Sequence, residues 1–139
     1  MRIQRIQAIA ISLPMIKPVK MSFEEVRNAE NVLARIETSD GITGWGEAAS
    51  APTMTGETQG SMVAAIRHLA DKLEGLPADD IPAAMHRAGQ YLYGNNSAKS
   101  AIEMALFDAL GQARGKPVYE LLGGAKRMRV PALRLIGTG

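Results

Sequence analysis

The 139-residue sequence contains no cysteine, which excludes a disulfide framework, a thiolate nucleophile and any zinc site built on thiolates. Aromatic residues are almost as scarce: one Trp, three Tyr and two Phe make up 4% of the chain. Base-stacking platforms for nucleic acid need interleaved aromatics, so that class of function is disfavoured. A dominant charge is also lacking, since 16 Lys and Arg face 14 Asp and Glu for a formal net charge of +2. So small an excess gives no electrostatic footprint for a polyanion. No run approaches the roughly 18 uninterrupted apolar residues of a membrane span. The apolar start is broken by Gln4, Gln7 and Ser12, so no signal peptide is expected. The expected setting is cytoplasmic, with neither membrane nor nucleic acid as partner.

What is present is enough to build a core. With 46% hydrophobic and 22% charged residues, the chain has the composition of one globular domain. At this size folding buries roughly two thirds of the unfolded surface, without a staple. Within residues 7–13, Ile9, Ile11 and Leu13 recur at period two, and residues 31–38 are rich in β-branched and aliphatic side chains. Both read as strands. Residues 14–25, with Pro14 and Pro18, read as a long exposed loop, a common carrier of function. The pair Asp40-Gly41 signals a hairpin, after which residues 42–48 return as a third strand of an antiparallel meander.

The second half changes period. Met62, Ile66, Leu69 and Leu73 form one helical stripe, ended by Gly75. Ile81, Met85, Ala88 and Leu92 form a second, with Asp79 or Asp80 as cap and Pro82 in its first turn. Ala98, Ile102, Ala105, Ala109 and Ala113 form a third, started near Asn96-Ser97 and stopped at Gly115-Lys116-Pro117. Its small residues permit close packing. A short piece at 118–122 leads to Gly123-Gly124, a basic link at 126–129 and a strand-like segment at 130–136. The expected fold is α+β: a three-stranded antiparallel meander followed by a three-helix bundle. Residues 1–125 form the domain, and residues 126–139 read as a linker and the first strand of another.

Several features have bland explanations. The glycines at 41, 44 and 46 lie between strands, whereas phosphate loops run from strand into helix, so no nucleotide site is expected. Glu47 reads as a hydrogen-bonded strand-end residue, with no second carboxylate close in sequence for acid–base work. His68 and His86 lack metal-ligand spacing. Lys126, Arg127 and Arg129 read as a solvated linker. Asn95-Asn96-Ser97 fits a glycosylation sequon but serves better as a helix cap. Most Met residues sit on helical stripes as core filler, with Met21 and Met54 the exceptions.

Two segments carry a family resemblance. The first is Gly41-Ile42-Thr43-Gly44-Trp45-Gly46-Glu47-Ala48. The second runs from Ala98 through Ala101, Glu103, Asp108 and Gln112 to Gly115-Lys116-Pro117-Val118 and Leu121-Leu122-Gly123-Gly124. Together they resemble the N-terminal capping domain of the enolase superfamily, in its mandelate racemase and muconate lactonizing branch. Gly44, Gly46, Glu47, Ala101, Glu103, Asp108 and Gly123 are its structural motif here. The resemblance implies an isomerase or lyase acting beside a carboxylate through an enediolate held on a divalent metal, usually Mg²⁺. The acid–base lysines and metal ligands of that family sit on a (β/α)8 barrel of about 250 residues, so no catalytic or metal-binding residue is expected in this chain. By itself the chain is expected to be inactive. The implied partners are its own barrel domain, a small carboxylate substrate and further copies in a homo-oligomer.

By the same resemblance, two loops of the capping domain lie over the barrel mouth, here at 15–25 and 48–55. Met21, Phe23, Ala51 and Met54 are the expected substrate-facing residues, with Lys17 or Lys20 near a carboxylate. The segment from Leu13-Pro14 to Phe23 is similar to that of muconate cycloisomerases, which favours that reaction. Residues 50–55 (Ser-Ala-Pro-Thr-Met-Thr) depart from the pattern of those enzymes. Amino-acid or dipeptide racemases and epimerases and sugar-acid dehydratases therefore stay open. A reading of another class also stands, in which the chain is a binding or scaffold module associating through the apolar 130–136 segment.

Overall fold

The computed structural model describes residues 1–20 and 25–133. Three strands, β1 (Ile3–Lys20), β2 (Glu25–Thr38) and β3 (Thr43–Ala49), form one antiparallel sheet in the order β1-β2-β3. Helices α1 (Gln59–Leu73), α2 (Ile81–Tyr91) and α3 (Asn96–Arg114) follow, with a single turn α4 (Val118–Leu121). The expected α+β meander and helices are present. The Asp40-Gly41 hairpin is too, with Gly41 at φ +80°, a backbone state that glycine adopts without a steric cost. Beside it, the Ser39 hydroxyl donates to Asp40 at 2.7 Å and holds that carboxyl below its usual pKa, helped by the N-terminal ammonium 3.6 Å away.

One expectation for the first half needs correction. Most of residues 14–25 is not loop but strand, because β1 runs to Lys20 and β2 begins at Glu25. The two prolines are tolerated because β1 is an edge strand and the register slips between Pro14 and Val19, where no ladder hydrogen bond is required. The period-two face carrying Ile9, Ile11 and Leu13 is the one turned away from the helices: Ile9 and Leu13 are exposed. A register shift between Ile3 and Arg5 puts Ile6, Ala8 and Ala10 opposite Ile36, Ala34 and Val32. That is the side on which the helices lie. A bulge of this kind exchanges the two faces of everything beyond it.

The helices pack on that side. Met62, Ile66, Leu69 and Leu73 are fully buried, as are Ala98, Ile102, Ala105 and Ala109, against Val32, Ala34 and Ile36. Ala113, the last residue of the expected third stripe, is exposed. Thr58 caps α1 by accepting from the Ser61 amide, and Asp80 caps α2 by accepting from the Ala83 amide at 3.1 Å. The N-terminus is tied to the α1–α2 connection, where Ile3 donates to Leu76 O and Gly75 donates to Ile3 O.

The tightest contact lies between β3 and α3. A Cβ at Gly44 would land on the Ala105 carbonyl oxygen, and one at Gly46 on that of Ala101. Backbone meets backbone at both positions, so neither neighbour has a flexible side chain to move aside. Gly46→Ala is therefore expected to destabilise the domain by more than about 3 kcal/mol. Gly89→Ala, at an exposed helical position with nothing within 4 Å, should instead stabilise it by about 0.5–1 kcal/mol. Urea denaturation followed by circular dichroism measures both.

Candidate functional site

One cleft lies where the two expected specificity segments approach each other. It has a volume of about 570 Å³ and is bounded by Met15 of β1, residues 25–31 of β2, and residues 49–54 at and beyond the end of β3. Ala51 and Met54 line it. Lys17 and Lys20 are exposed on β1 and are not among its lining residues. Met21 and Phe23 lie outside the described residues. The wall on β2 brings Arg27, Asn28, Glu30 and Asn31 to the cleft, none of which sequence patterning singled out. Arg27 pairs with Glu25 at 2.9 Å.

The segment beyond β3 is a turn with its own hydrogen bonds. Met54 and Thr55 donate to Ala51 O at 3.0 and 2.8 Å, and Gly56 donates to Pro52 O. The Ser50 amide fastens one end of this turn to Glu30 O, and the Ala51 amide fastens it to Glu57 O. Gln59, at the start of α1, donates through Nε2 to the carbonyls of Ile11 and Asn31. The cleft thus has walls positioned from the sheet and from the start of α1.

The motif residues are placed as follows. Gly44 and Gly46 face α3, and Ala101 lies against Gly46. Asp108 Oδ2 accepts from the Trp45 amide at 2.8 Å and from Gln112 Nε2 at 3.1 Å, while Gln112 also donates to Thr43 O. These bonds occupy backbone groups along the outer edge of β3, which would otherwise be unpaired. Glu47 is exposed on the sheet face away from the helices and accepts from Asn31 Nδ2 at 2.6 Å. Glu103 is half-buried on α3, and Gly123 follows α4 at φ +97°.

The cap expected from Asn95-Asn96-Ser97 takes another form. Asn95 sits in the left-handed region at φ +51° and makes no side-chain cap bond to α3; its side-chain Nδ2 donates to Tyr93 O instead. The cap comes from Glu57, which sequence reasoning missed. No local pattern links residues forty positions apart. Glu57 is buried and accepts from the Ser97 amide, the Ser97 hydroxyl and the Ala98 amide.

Among the described residues, no group of three or more His, Asp or Glu is placed to hold a metal ion. His68 Nε2 lies 3.3 Å from Tyr91 O, and His86 lies beside Gln90. No described helix is long and apolar enough to cross a membrane.

This architecture, an antiparallel meander carrying helices on one face and a cleft at the open end of the hairpin, is that of an α+β domain. The N-terminal-domain model of the mandelate racemase / muconate lactonizing enzyme family matches residues 5–123, and the chain belongs to that family, within the enolase superfamily. It is 41% identical over 125 residues to the L-Ala-D/L-Glu epimerase of Bacillus subtilis, covering 89% of this chain and 34% of that enzyme. It is 42% identical over 130 residues to muconate cycloisomerase 1 of Pseudomonas putida, covering 90% of this chain and 35% of that enzyme. Among solved structures, the N-succinyl Arg/Lys racemase of Bacillus cereus superposes with TM-score 0.88 at 32% identity, over 91% of this chain and 35% of that one. The muconate lactonizing enzyme of Pseudomonas fluorescens in complex with muconolactone gives 0.86 at 41%, with the same coverage. The chain therefore spans about a third of the length of the relatives it matches.

Asp108→Ala should cost about 1–3 kcal/mol, because the Trp45 amide on the outer edge of β3 loses its charged acceptor. The same variant should shift the emission of Trp45, the sole tryptophan, in fluorescence-monitored unfolding.

Proposed function

We propose that this chain is the substrate-specificity domain of an isomerase of the enolase superfamily, capping a (β/α)8 barrel that carries the acid–base and metal-binding groups. The observation that carries this reading is the cleft itself. Its apolar members, Met15, Val26, Ala51 and Met54, exclude water from one side of a bound molecule. Its polar members, Arg27, Asn28, Asn31 and Ser50, supply the few oriented contacts by which a small carboxylate substrate is told from its analogues. Magnesium, the metal of the family, supplies charge stabilisation beside the substrate carboxylate when bound. The described residues offer it no ligand set, so no step of this chain's work runs through it. The exposed Val130 and Leu133 continue toward the barrel in this reading.

Muconate cycloisomerisation is the reaction we favour, on the sequence of the first specificity segment. Dipeptide epimerisation is the second reading, favoured by the 41% identity to the Bacillus epimerase. The test reads the coding frame beyond Gly139 and assays the complete polypeptide with muconate and with L-Ala-L-Glu. The expected frame continues for about twice the present length, with lysines and carboxylates at its strand ends, and its product turns over one of the two substrates. The 139-residue chain alone is expected to turn over neither. A frame that stops after Gly139, or turnover by the isolated chain, overturns the reading and leaves the binding or scaffold role. In the complete enzyme, Met54→Ala should change the ratio of kcat/KM for the two substrates by about tenfold, since it removes an apolar wall without touching the chemistry.

A further inference from the structure

We propose that Glu57 is a positioning residue, which sets substrate discrimination by clamping the cleft-lining turn at 51–54 onto the N-terminus of α3. This rests on the capping-domain reading above. Three observations combine in it. The carboxylate of Glu57 is buried and takes three donors from the first turn of α3: the Ser97 amide at 3.1 Å to each oxygen, the Ser97 hydroxyl at 2.7 Å and the Ala98 amide at 3.4 Å. The N-cap residue Asn95 leaves those donors unserved. The backbone of the same Glu57 holds the turn: its carbonyl accepts from the Ala51 amide at 3.2 Å and from the Ser50 hydroxyl at 3.5 Å, and its amide donates to Thr55 Oγ1 at 3.3 Å.

The helix thus needs an anion at its positive end, and the residue that supplies it carries the cleft wall on its backbone. A helix cap supplied from within the helix would satisfy α3 equally well and leave the turn unanchored. Because the carboxylate has to reach residues 97 and 98, the main chain at 57 is held at one distance from a helix that is itself seated on β3. Ala51 and Met54, three to six residues earlier, inherit that placement. Glu57 does not line the cleft, so its effect on a substrate is exerted through the turn alone.

The test compares Glu57→Gln and the milder Ser97→Ala. Glutamine keeps the volume but presents an amide group to the N–H donors, whereas Ser97→Ala removes the hydroxyl and leaves both backbone donors in place. In this chain, hydrogen exchange of Glu57→Gln should quicken at least about tenfold at the amides of Ala51, Met54, Thr55 and Gly56, while amides at 102–110 change less than about twofold. Unaltered exchange at 51–56 overturns the clamp. If Glu57→Gln unfolds, Ser97→Ala decides by the same reading. In the complete enzyme, the clamp variants should raise KM about tenfold for the substrate whose side chain reaches the turn, with kcat within about twofold. A fall in kcat at constant KM, or no change in either, overturns the discriminating role. A complete wild-type enzyme with no turnover of a carboxylate substrate overturns the capping-domain reading and with it that role, while the exchange result still decides whether the clamp exists.

Discussion

The contact between β3 and α3 is the constraint on which the other features depend. Two residues along a strand advance about 6.7 Å, and four along a helix about 6 Å. Gly44 meets Ala105 and Gly46 meets Ala101, so strand and helix run antiparallel with their small residues nearly in step. Without side chains on the strand, the helix axis comes close enough for Asp108 and Gln112 to reach the backbone of Trp45 and Thr43. That seals one edge of the sheet. It also fixes where β3 ends, and therefore where the turn at 51–54 begins. The burial of Ala98, Ile102, Leu106 and Ala109 adds apolar stabilisation, at about 25 cal/mol per Å², to a geometry the glycines make possible.

The sheet divides the molecule into a stiff base and an exposed ribbon. At the base, Ile3 of β1 is tied to the α1–α2 connection through bonds to Leu76 and Gly75. At the other end, β1 beyond Ile11, whose carbonyl is the point Gln59 holds, is exposed throughout its described length and pairs with β2. Regions with few buried contacts open at lower free energy than the core. In the proposed function, a wall that must admit and release a molecule suits the ribbon, and a frame that must hold that wall in register suits the base.

Much of this was legible in the sequence, and what was missed has physical causes. The helical stripes of α1 and α3 stood out because apolar residues at period 3.6 have few other solutions. Gly44, Gly46, Ala101 and Asp108 stood out because a family motif marks them, although their reason, a backbone-to-backbone approach, is visible only in three dimensions. The buried sheet face was not legible, because Ile9, Ile11 and Leu13 outweigh Ala8 and Ala10 in hydrophobicity yet lie on the side away from the helices. A single register shift near Ile3 then decides which side the helices take, and small alanines are what the helix approach requires. Pro14 and Pro18 pointed to a loop because edge strands, which tolerate proline, cannot be told from loops before the sheet order is known. Glu57 was invisible because its partners are forty residues away.

The same division explains why the family is plain while the substrate is not. The residues that mark the family hold the frame: two glycines, a track of alanines, and one aspartate on a strand edge. The residues that line the cleft, such as Arg27, Asn28 and Met54, are exposed and answer to no packing demand. A frame of this kind tolerates exchange of its wall at little cost in stability, since surface substitutions away from packed features usually change it by less than about 0.5 kcal/mol. Near-equal identities of 41% and 42% to an epimerase and a cycloisomerase are what such a frame produces. Whole-chain similarity measures the scaffold, and in the proposed function discrimination between substrates rests on a few side chains together with whatever fixes their distance from the frame.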